Sequence, residues 1–111
     1  MERLRQRADF LAAAAGVKAP TAAFVLQARA RQDSAPARIG FTVSKKVGNA
    51  VERNRVRRRL REVVRGSAAL IGATGHDYVL IGRRTALTAP FDTMVADFAG
   101  ALRRVHKRRS A

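Results

Sequence analysis

Three segments of the chain have the hydrophobic pattern of β-strands. Residues 23–30 alternate, with Phe24, Leu26 and Ala28 on one side of the predicted strand, and residues 38–44 alternate in the same way. Residues 78–81 are continuously apolar, which predicts a strand over residues 76–83 that is buried on both faces. Because only a short polar turn separates the two alternating segments, we expect them to form an antiparallel hairpin.

Three other segments have the pattern of helices. Residues 9–15 form a short predicted helix that ends at Gly16. Asn49, followed three residues later by Glu52, matches a capping box and predicts a second helix from residue 50 to about residue 65. After Pro90, apolar residues recur at helical spacing and predict an amphipathic last helix. These apolar residues are Phe91, Val95, Phe98, Leu102 and Val105.

The predicted elements follow the order α-β-β-α-β-α. This order predicts an α/β two-layer sandwich with helices over a small mixed sheet. The length of 111 residues fits one domain, so we expect residues 1–111 to form a single domain. The last residues are strongly basic, and we expect the tail of residues 103–111 to fray.

The net charge of the chain indicates which classes of partner it binds. Lys and Arg total 23 against eight Asp and Glu, which gives a formal net charge of +15 at pH 7. Repulsion on this scale favours a polyanionic partner, most commonly a nucleic acid and less commonly an anionic membrane. The chain has no cysteine, and its apolar runs are too short for a signal peptide or a membrane helix. We therefore expect a cytoplasmic protein that binds nucleic acid and no membrane.

The second predicted helix divides into an apolar stripe and a basic face. At about 100° per residue, the core stripe consists of Val56, Leu60, Val63 and Val64. The opposite arc consists of Asn54, Arg57, Arg58, Arg61 and Arg65, while Arg53, Arg55 and Arg59 lie at the margins. Charged faces of solvated helices normally mix signs, and this one does not, which favours phosphate binding over a solvated face. These residues alone leave RNA and DNA both open.

A longer motif surrounds the start of this helix. Residues 39–58 are IGFTVSKKVGNAVERNRVRR, so a predicted strand ends in Ser44-Lys45-Lys46 and a helix with Arg53-Asn54-Arg55 follows. This run resembles the signature of the protein subunit of bacterial ribonuclease P. The resemblance implies an α/β sandwich, similar to one domain of a small-subunit ribosomal protein. In that fold the Arg-Asn-Arg helix forms a left-handed crossover between parallel strands, against the general rule for such connections.

The resemblance also implies a function. The family's protein assists in the endonucleolytic removal of the 5′ leader from precursor tRNA. The catalytic RNA subunit performs the hydrolysis with magnesium ions held mainly by the RNA, so the protein has no catalytic residues and no metal site. The implied partners are this RNA and the leader, without an obligate protein partner. By position, the residues expected to contact the catalytic RNA are Lys45, Lys46, Arg53, Asn54, Arg55, Arg57, Arg58, Arg61 and Arg65.

The leader cleft is where the sequence departs from the family pattern. Family members often have two aromatic residues one turn apart on the first helix and a third on the first strand. Here Phe10 is followed one turn later by Ala14, and the strand position is Gln27. Since each base stacked on an aromatic residue gains about 1–3 kcal/mol, we expect a weaker or differently selective leader site. The residues expected to line it are Phe10, Val25, Gln27 and Arg29.

The sequence shows no arrangement typical of a protein that cleaves RNA itself. Such a protein usually needs clustered carboxylates or a histidine pair. The eight acids form no D-x-D pair, and we interpret His76 and His106 each as a surface residue rather than a catalyst. Two other functions stay open on charge alone, a structural RNA-binding protein of the ribosome or its assembly and a DNA-compacting protein.

Overall fold

In a computed structural model, residues 2–67, 71 and 74–110 of the chain are described, with side chains up to Lys107. The strands are β1 (Glu2–Arg3), β2 (Val17–Pro20), β3 (Phe24–Ala30), β4 (Arg38–Thr42) and β5 (His76–Gly82). The helices are α1 (Arg7–Ala14), α2 (Ala50–Gly66) and α3 (Phe91–Ser110), with 3₁₀ turns at Lys45–Val47 and Arg84–Leu87. The mixed sheet with three helices agrees with the predicted sandwich.

The strands described form one sheet in the order β1-β4-β5-β3-β2. β4 is parallel to β5, and β3 is antiparallel to β5 from the opposite side. Helix α2 connects the parallel neighbours β4 and β5, as expected for a crossover helix. Strand β5 is buried along almost its whole length, which confirms the prediction from its continuous apolar run.

The predicted hairpin of the two alternating segments is wrong. β3 and β4 do not pair with each other, because β5 lies between them and pairs with both. A continuously apolar strand needs cover on both edges and both faces, so it takes the central place in the sheet. The sequence did not predict the short edge strands β1 and β2. Segments of two and four residues are too short to show an alternating pattern.

Helix α2 begins and packs as its sequence predicts. The Asn49 side chain accepts a hydrogen bond from the Glu52 N–H at 2.8 Å, and the Glu52 carboxylate accepts one from the Asn49 N–H at 3.0 Å. This reciprocal pair satisfies two backbone donors at the helix start. The predicted stripe is buried against the sheet and consists of Val56, Leu60, Val63 and Val64.

Helix α3 covers the other half of the same sheet face. Phe98 packs edge-on against Phe24 of β3, with ring centroids 6.2 Å apart. Of the predicted apolar positions, Phe98, Leu102 and Val105 are buried, whereas Phe91 is 41% exposed at the first turn. The helix continues to Ser110, and the fraying expected for residues 103–111 stays a prediction.

Of the helices described, α1 covers the opposite face of the sheet. A small second core consists of Leu4, Ala13 and Val79, with Phe10 and Ile81 packed against it. Gly40 lies directly beneath Phe10: a Cβ at this position would be 2.5 Å from the ring. The missing side chain therefore lets the aromatic ring lie close to strand β4.

Candidate nucleic-acid interface

The basic face of α2 is exposed to solvent, with Arg57 only half-buried. Asn54 accepts a hydrogen bond from Arg57 at 3.0 Å, which orients this guanidinium along the face. Arg65, at the far end, is paired with Glu62 at 3.1 Å. Among the described residues, no carboxylate pairs with the arginines between these two ends. This face therefore has uncompensated positive charge where the sequence predicts it.

The arginines at the margins of α2 differ in their roles. Arg55 is exposed, whereas the Nε of Arg53 is buried and has no hydrogen-bond partner among the described residues. Arg59 donates hydrogen bonds to three backbone carbonyls between β5 and α3, at Ala86, Leu87 and Ala89, over 2.6–3.0 Å. Arg59 thus ties α2 to the start of α3 and is a structural residue.

The two lysines of the basic loop are placed beside the start of α2. Lys45 and Lys46 are exposed on a 3₁₀ turn, and the buried Val47 anchors that turn. Arg84 donates a hydrogen bond to the Val47 carbonyl at 2.6 Å and another to the Glu52 carboxylate at 3.1 Å. Sequence reasoning missed Arg84, because it follows a strand and belongs to no periodic pattern.

Glu52 has two partners that favour its charged form. The Asn49 N–H and, second, the Arg84 guanidinium lower the pKa of the Glu52 carboxyl below its usual value. Glu52 therefore holds the basic loop and the helix start together as a carboxylate. It does not neutralise the arginines farther along α2.

A groove separates α1 from α2. It has a volume of about 510 Å³. Its lining combines aromatic and basic residues and includes Arg5, Arg7, Phe10, Phe41 and Arg57. The Arg61 guanidinium lies 5.9 Å from the centroid of the Phe41 ring, in cation–π range. The structure thus brings Phe10, expected at the leader, next to Arg57, expected at the catalytic RNA.

The other residues expected to bind the leader lie deeper on the sheet. Val25, Gln27 and Arg29 share one face of β3, but β5 separates them from the β4 strand beneath Phe10. Gln27 is opposite Val79 in the middle of the sheet and is only 5% exposed. Val25 and Arg29 are half-buried. The structure therefore places the four residues on one face without clustering them.

Arg29 belongs to an ionic cluster centred on Asp77. The Asp77 carboxylate is fully buried and accepts two hydrogen bonds from Arg38, both at 2.8 Å, and one from Arg31. Burial acts to raise the pKa of Asp77, but the hydrogen bonds of Arg38 and Arg31 outweigh it and hold this pKa below its usual value. Asp9 of α1 joins the cluster at 3.3 Å from Arg38. These contacts fix α1 relative to the sheet.

The two histidines, each interpreted from the sequence as a surface residue, lie together in the structure. The rings of His76 and His106 are 5.1 Å apart, and both are half-buried. The hydroxyl of the buried Tyr78 is 2.8 Å from His106 Nε2, and His76 Nδ1 is 2.8 Å from the Thr74 carbonyl. Strand β5 and the last turns of α3, far apart in sequence, bring them together.

The described part of the chain contains neither a metal-binding cluster nor a membrane helix. Across residues 2–67, 71 and 74–107, no group of three or more His, Asp or Glu side chains is placed to hold a metal ion. Over the same residues, no helix is long and apolar enough to cross a membrane.

The sequence is similar to known ribonuclease P proteins. A family model described as Ribonuclease P matches residues 1–106. The ribonuclease P protein component of Gluconacetobacter diazotrophicus is 52% identical over 107 residues, which span 96% of this chain and 92% of that protein. The corresponding protein of Ruegeria pomeroyi is 47% identical over 106 residues, spanning 93% of this chain and 85% of that protein.

Solved structures agree with the sequence comparisons. The RNase P protein from Thermotoga maritima superposes with a TM-score of 0.78 at 31% identity, over 95% of this chain and 98% of that one. The Staphylococcus aureus RNase P protein superposes with a TM-score of 0.76 at 26% identity, over 94% of each chain. By its sequence and its fold, the chain belongs to the ribonuclease P protein family.

Proposed function

We propose that this chain binds the catalytic RNA of ribonuclease P through the basic face of α2 and the Lys45-Lys46 loop. In this proposal, the groove between α1 and α2 receives the 5′ leader of precursor tRNA. The observation that supports it most directly is the uncompensated basic face of α2, which continues into a groove lined by aromatic rings. The RNA-bound protein then assists the endonucleolytic removal of the leader.

The charge of α2 supports the first part of the proposal. The helix has seven arginines and two glutamates. Glu52 is engaged at the helix start and Glu62 pairs with Arg65, so neither reaches the middle of the face. The guanidinium forks of Arg57, Arg58 and Arg61 on this face match the geometry of phosphate oxygens. RNA phosphates inserted between these arginines would relieve their mutual repulsion.

The groove supports the second part. Phe10 and Phe41 offer ring surfaces on which single-stranded bases can stack, and stacking contributes about 1–3 kcal/mol per base. Arg57 belongs to both the basic face and the groove wall, so it can contact phosphates of either RNA. The leader path therefore begins at the catalytic-RNA surface and extends along α1. The buried Gln27 offers no exposed platform farther along β3.

The role of the protein in the reaction is binding and orientation. Two of its carboxylates have structural roles: Asp77 is enclosed by arginines, and Glu52 caps α2. We propose that the catalytic RNA hydrolyses the phosphodiester with magnesium ions that it holds mainly itself. The protein positions the leader relative to that RNA, and its charge offsets repulsion between the two RNAs.

The proposal needs no other protein. The net charge of +15 gives RNA the strongest electrostatic attraction among common cellular partners. We therefore propose that the chain acts in the cytoplasm as the protein part of a ribonucleoprotein, without an obligate protein partner.

Reconstitution tests the proposed function. The protein is mixed with a bacterial ribonuclease P RNA and a precursor tRNA at low magnesium, and leader removal is compared with that by the RNA alone. We expect faster leader removal with the protein. We also expect the protein to increase the affinity for precursor tRNA, which has a leader, more than the affinity for mature tRNA. An unchanged cleavage rate would refute the assignment.

The salt dependence of RNA binding tests the α2 face itself. Replacing Arg57 or Arg58 with Ala should flatten the log–log salt slope by about 0.7–0.9 for each phosphate that the protein no longer neutralises. Both residues lie opposite the core stripe, so the fold should persist, and Arg57→Lys or Arg58→Lys serves as the charge-preserving control. An unchanged slope for Arg58→Ala would remove that residue from the interface.

A further inference from the structure

A second basic surface lies on the last turns of α3. It consists of Arg103, Arg104, His106 and Lys107, and we call it the α3 surface. Arg103, Arg104 and Lys107 are exposed, and His106 is half-buried. The last acidic residue of this helix is Asp97, more than one turn earlier. The surface thus has one sign of charge.

The α3 surface is anchored to the sheet. Val105 is fully buried in the main core, and the Tyr78 hydroxyl is 2.8 Å from His106 Nε2. Arg104 donates a hydrogen bond to the Pro20 carbonyl of β2 at 3.0 Å. These three contacts point to different parts of the sheet, so they fix both the position and the rotation of the helix end. The basic side chains therefore project from a defined scaffold.

The positive charges of Arg103 and Lys107 are not compensated within the part of the chain that the structure describes. No carboxylate there forms an ion pair with Arg103 or Lys107. These two residues are four apart on one helix face, where like charges repel each other. An arrangement that places such charges on an anchored helix fits an anionic ligand that the described residues do not provide.

The α3 surface and the α2 face lie toward opposite edges of the sheet. Arg57 and Arg61 of α2 line grooves together with residues of β4, next to the β1 edge. Arg104 of α3 contacts β2, at the other edge. One straight RNA helix on the α2 face would therefore leave the α3 surface uncovered.

We propose that the α3 surface binds the phosphates of a second RNA segment while α2 binds the first. This inference rests on the proposed function only in taking α2 as the first RNA surface. An anionic membrane is a weaker fit, because interfacial helices insert apolar side chains into lipid. The apolar residues at this end of α3, Leu102 and Val105, are already buried in the core. The protein thus joins two RNA segments across the width of its sheet.

The experiment counts binding sites on the full-length protein without catalytic RNA. The probe is a short RNA duplex of one helical turn, and calorimetric titration at low salt gives its stoichiometry. Four forms are compared: wild type, Arg57→Ala/Arg58→Ala, Arg103→Ala/Lys107→Ala, and Arg103→Lys/Lys107→Arg as the charge-preserving control. Arg104 is left in place because it is bonded to Pro20.

We expect two duplexes on the wild type and on the control, and one on each of the two alanine variants. The Arg103→Ala/Lys107→Ala form should also have a log–log salt slope shallower by about 1.4–1.8, for two phosphates no longer neutralised. Two duplexes on this variant, or one on the wild type, would overturn the proposal. So would binding to phosphatidylglycerol vesicles that depends on these residues while duplex binding does not.

Failure of this proposal can be told apart from failure of the proposed function. If Arg103→Ala/Lys107→Ala binds duplex as the wild type does but reconstitution succeeds, only the second surface is refuted. If reconstitution fails while both alanine variants lose one duplex, the protein has two RNA surfaces but serves another ribonucleoprotein.

Discussion

Replacing Asp77 with Asn should destabilise the protein strongly, although the change removes only a charge. The Asp77 carboxylate is fully buried and accepts three hydrogen bonds from Arg31 and Arg38. An amide keeps one acceptor oxygen and puts a donor group where a guanidinium already donates. The variant therefore loses hydrogen bonds to charged groups, each of which contributes about 1.5–3 kcal/mol.

The size of the stability loss depends on the partners that Arg31 and Arg38 keep in the variant. Breaking a buried ion pair costs about 3–5 kcal/mol when the remaining charge has no other partner. Here Arg38 still contacts Asp9 at 3.3 Å, and Arg31 still contacts Asp33 at 3.2 Å. We therefore expect a loss near the lower end, about 3 kcal/mol in the free energy of unfolding. A small domain with about 5–15 kcal/mol of stability would remain folded.

Urea unfolding at several pH values measures this loss. The pKa of Asp77 is lower in the folded protein than its usual value of 3.8. The stabilisation by Asp77 is therefore fully present above that value and disappears as the pH falls through the lower, folded pKa. The stability difference between wild type and Asp77→Asn should accordingly be large at neutral pH and shrink under strongly acidic conditions.

The matched control is Asp33→Asn, because Asp33 also pairs with Arg31 but its side chain is 47% exposed. Solvent screens such a pair, so this variant should lose much less stability than Asp77→Asn. Equal losses for the two variants would contradict the argument from burial. A loss below about 1 kcal/mol for Asp77→Asn, the level of an exposed pair, would refute it outright.

Two further substitutions test the groove and the helix start. Gly40→Ala should push the Phe10 ring away from β4, because the added Cβ would be 2.5 Å from it; we expect a loss of about 1–3 kcal/mol by urea unfolding and weaker binding of a leader oligonucleotide. Unchanged leader binding would show that binding of the leader does not depend on this position of the Phe10 ring. Asn49→Ala removes the acceptor of the Glu52 N–H and should lower the free energy of unfolding by about 0.5–2 kcal/mol. Asn49→Asp keeps an acceptor oxygen and should therefore retain most of the stabilisation by the cap. Equal stability of the two variants would argue against the cap.

Local patterns predicted the helices and the basic face well. The capping box at Asn49 and Glu52 and the spacing of Val56 and Leu60 are both short-range signals, and the structure has both where the sequence predicts them. The apolar run in β5 likewise predicted its burial. In each case the physical cause, a backbone donor, a helical period or a run of apolar side chains, acts within a few residues.

Contacts between distant residues were not predictable in this way. Asp77 and Arg38 are 39 positions apart, and the pairing of Tyr78 with His106 spans 28 positions. The strand order depends on which strand lies in the centre of the sheet and pairs on both sides. The alternating patterns of β3 and β4 do not indicate which strand that is. Arg59 has the same residue type as its neighbours on α2, yet it binds backbone carbonyls rather than facing solvent.

The central position of β5 has a consequence for synthesis on the ribosome. Both β3 and β4 precede β5 in the chain, and neither has its principal partner until residues 76–82 have been made. Such non-local pairing slows folding and leaves strand edges open in the meantime. Helix α2, by contrast, has its own cap and emerges before β5. The arginine-rich segment therefore leaves the ribosome, itself an RNA surface, before the sheet that supports it exists.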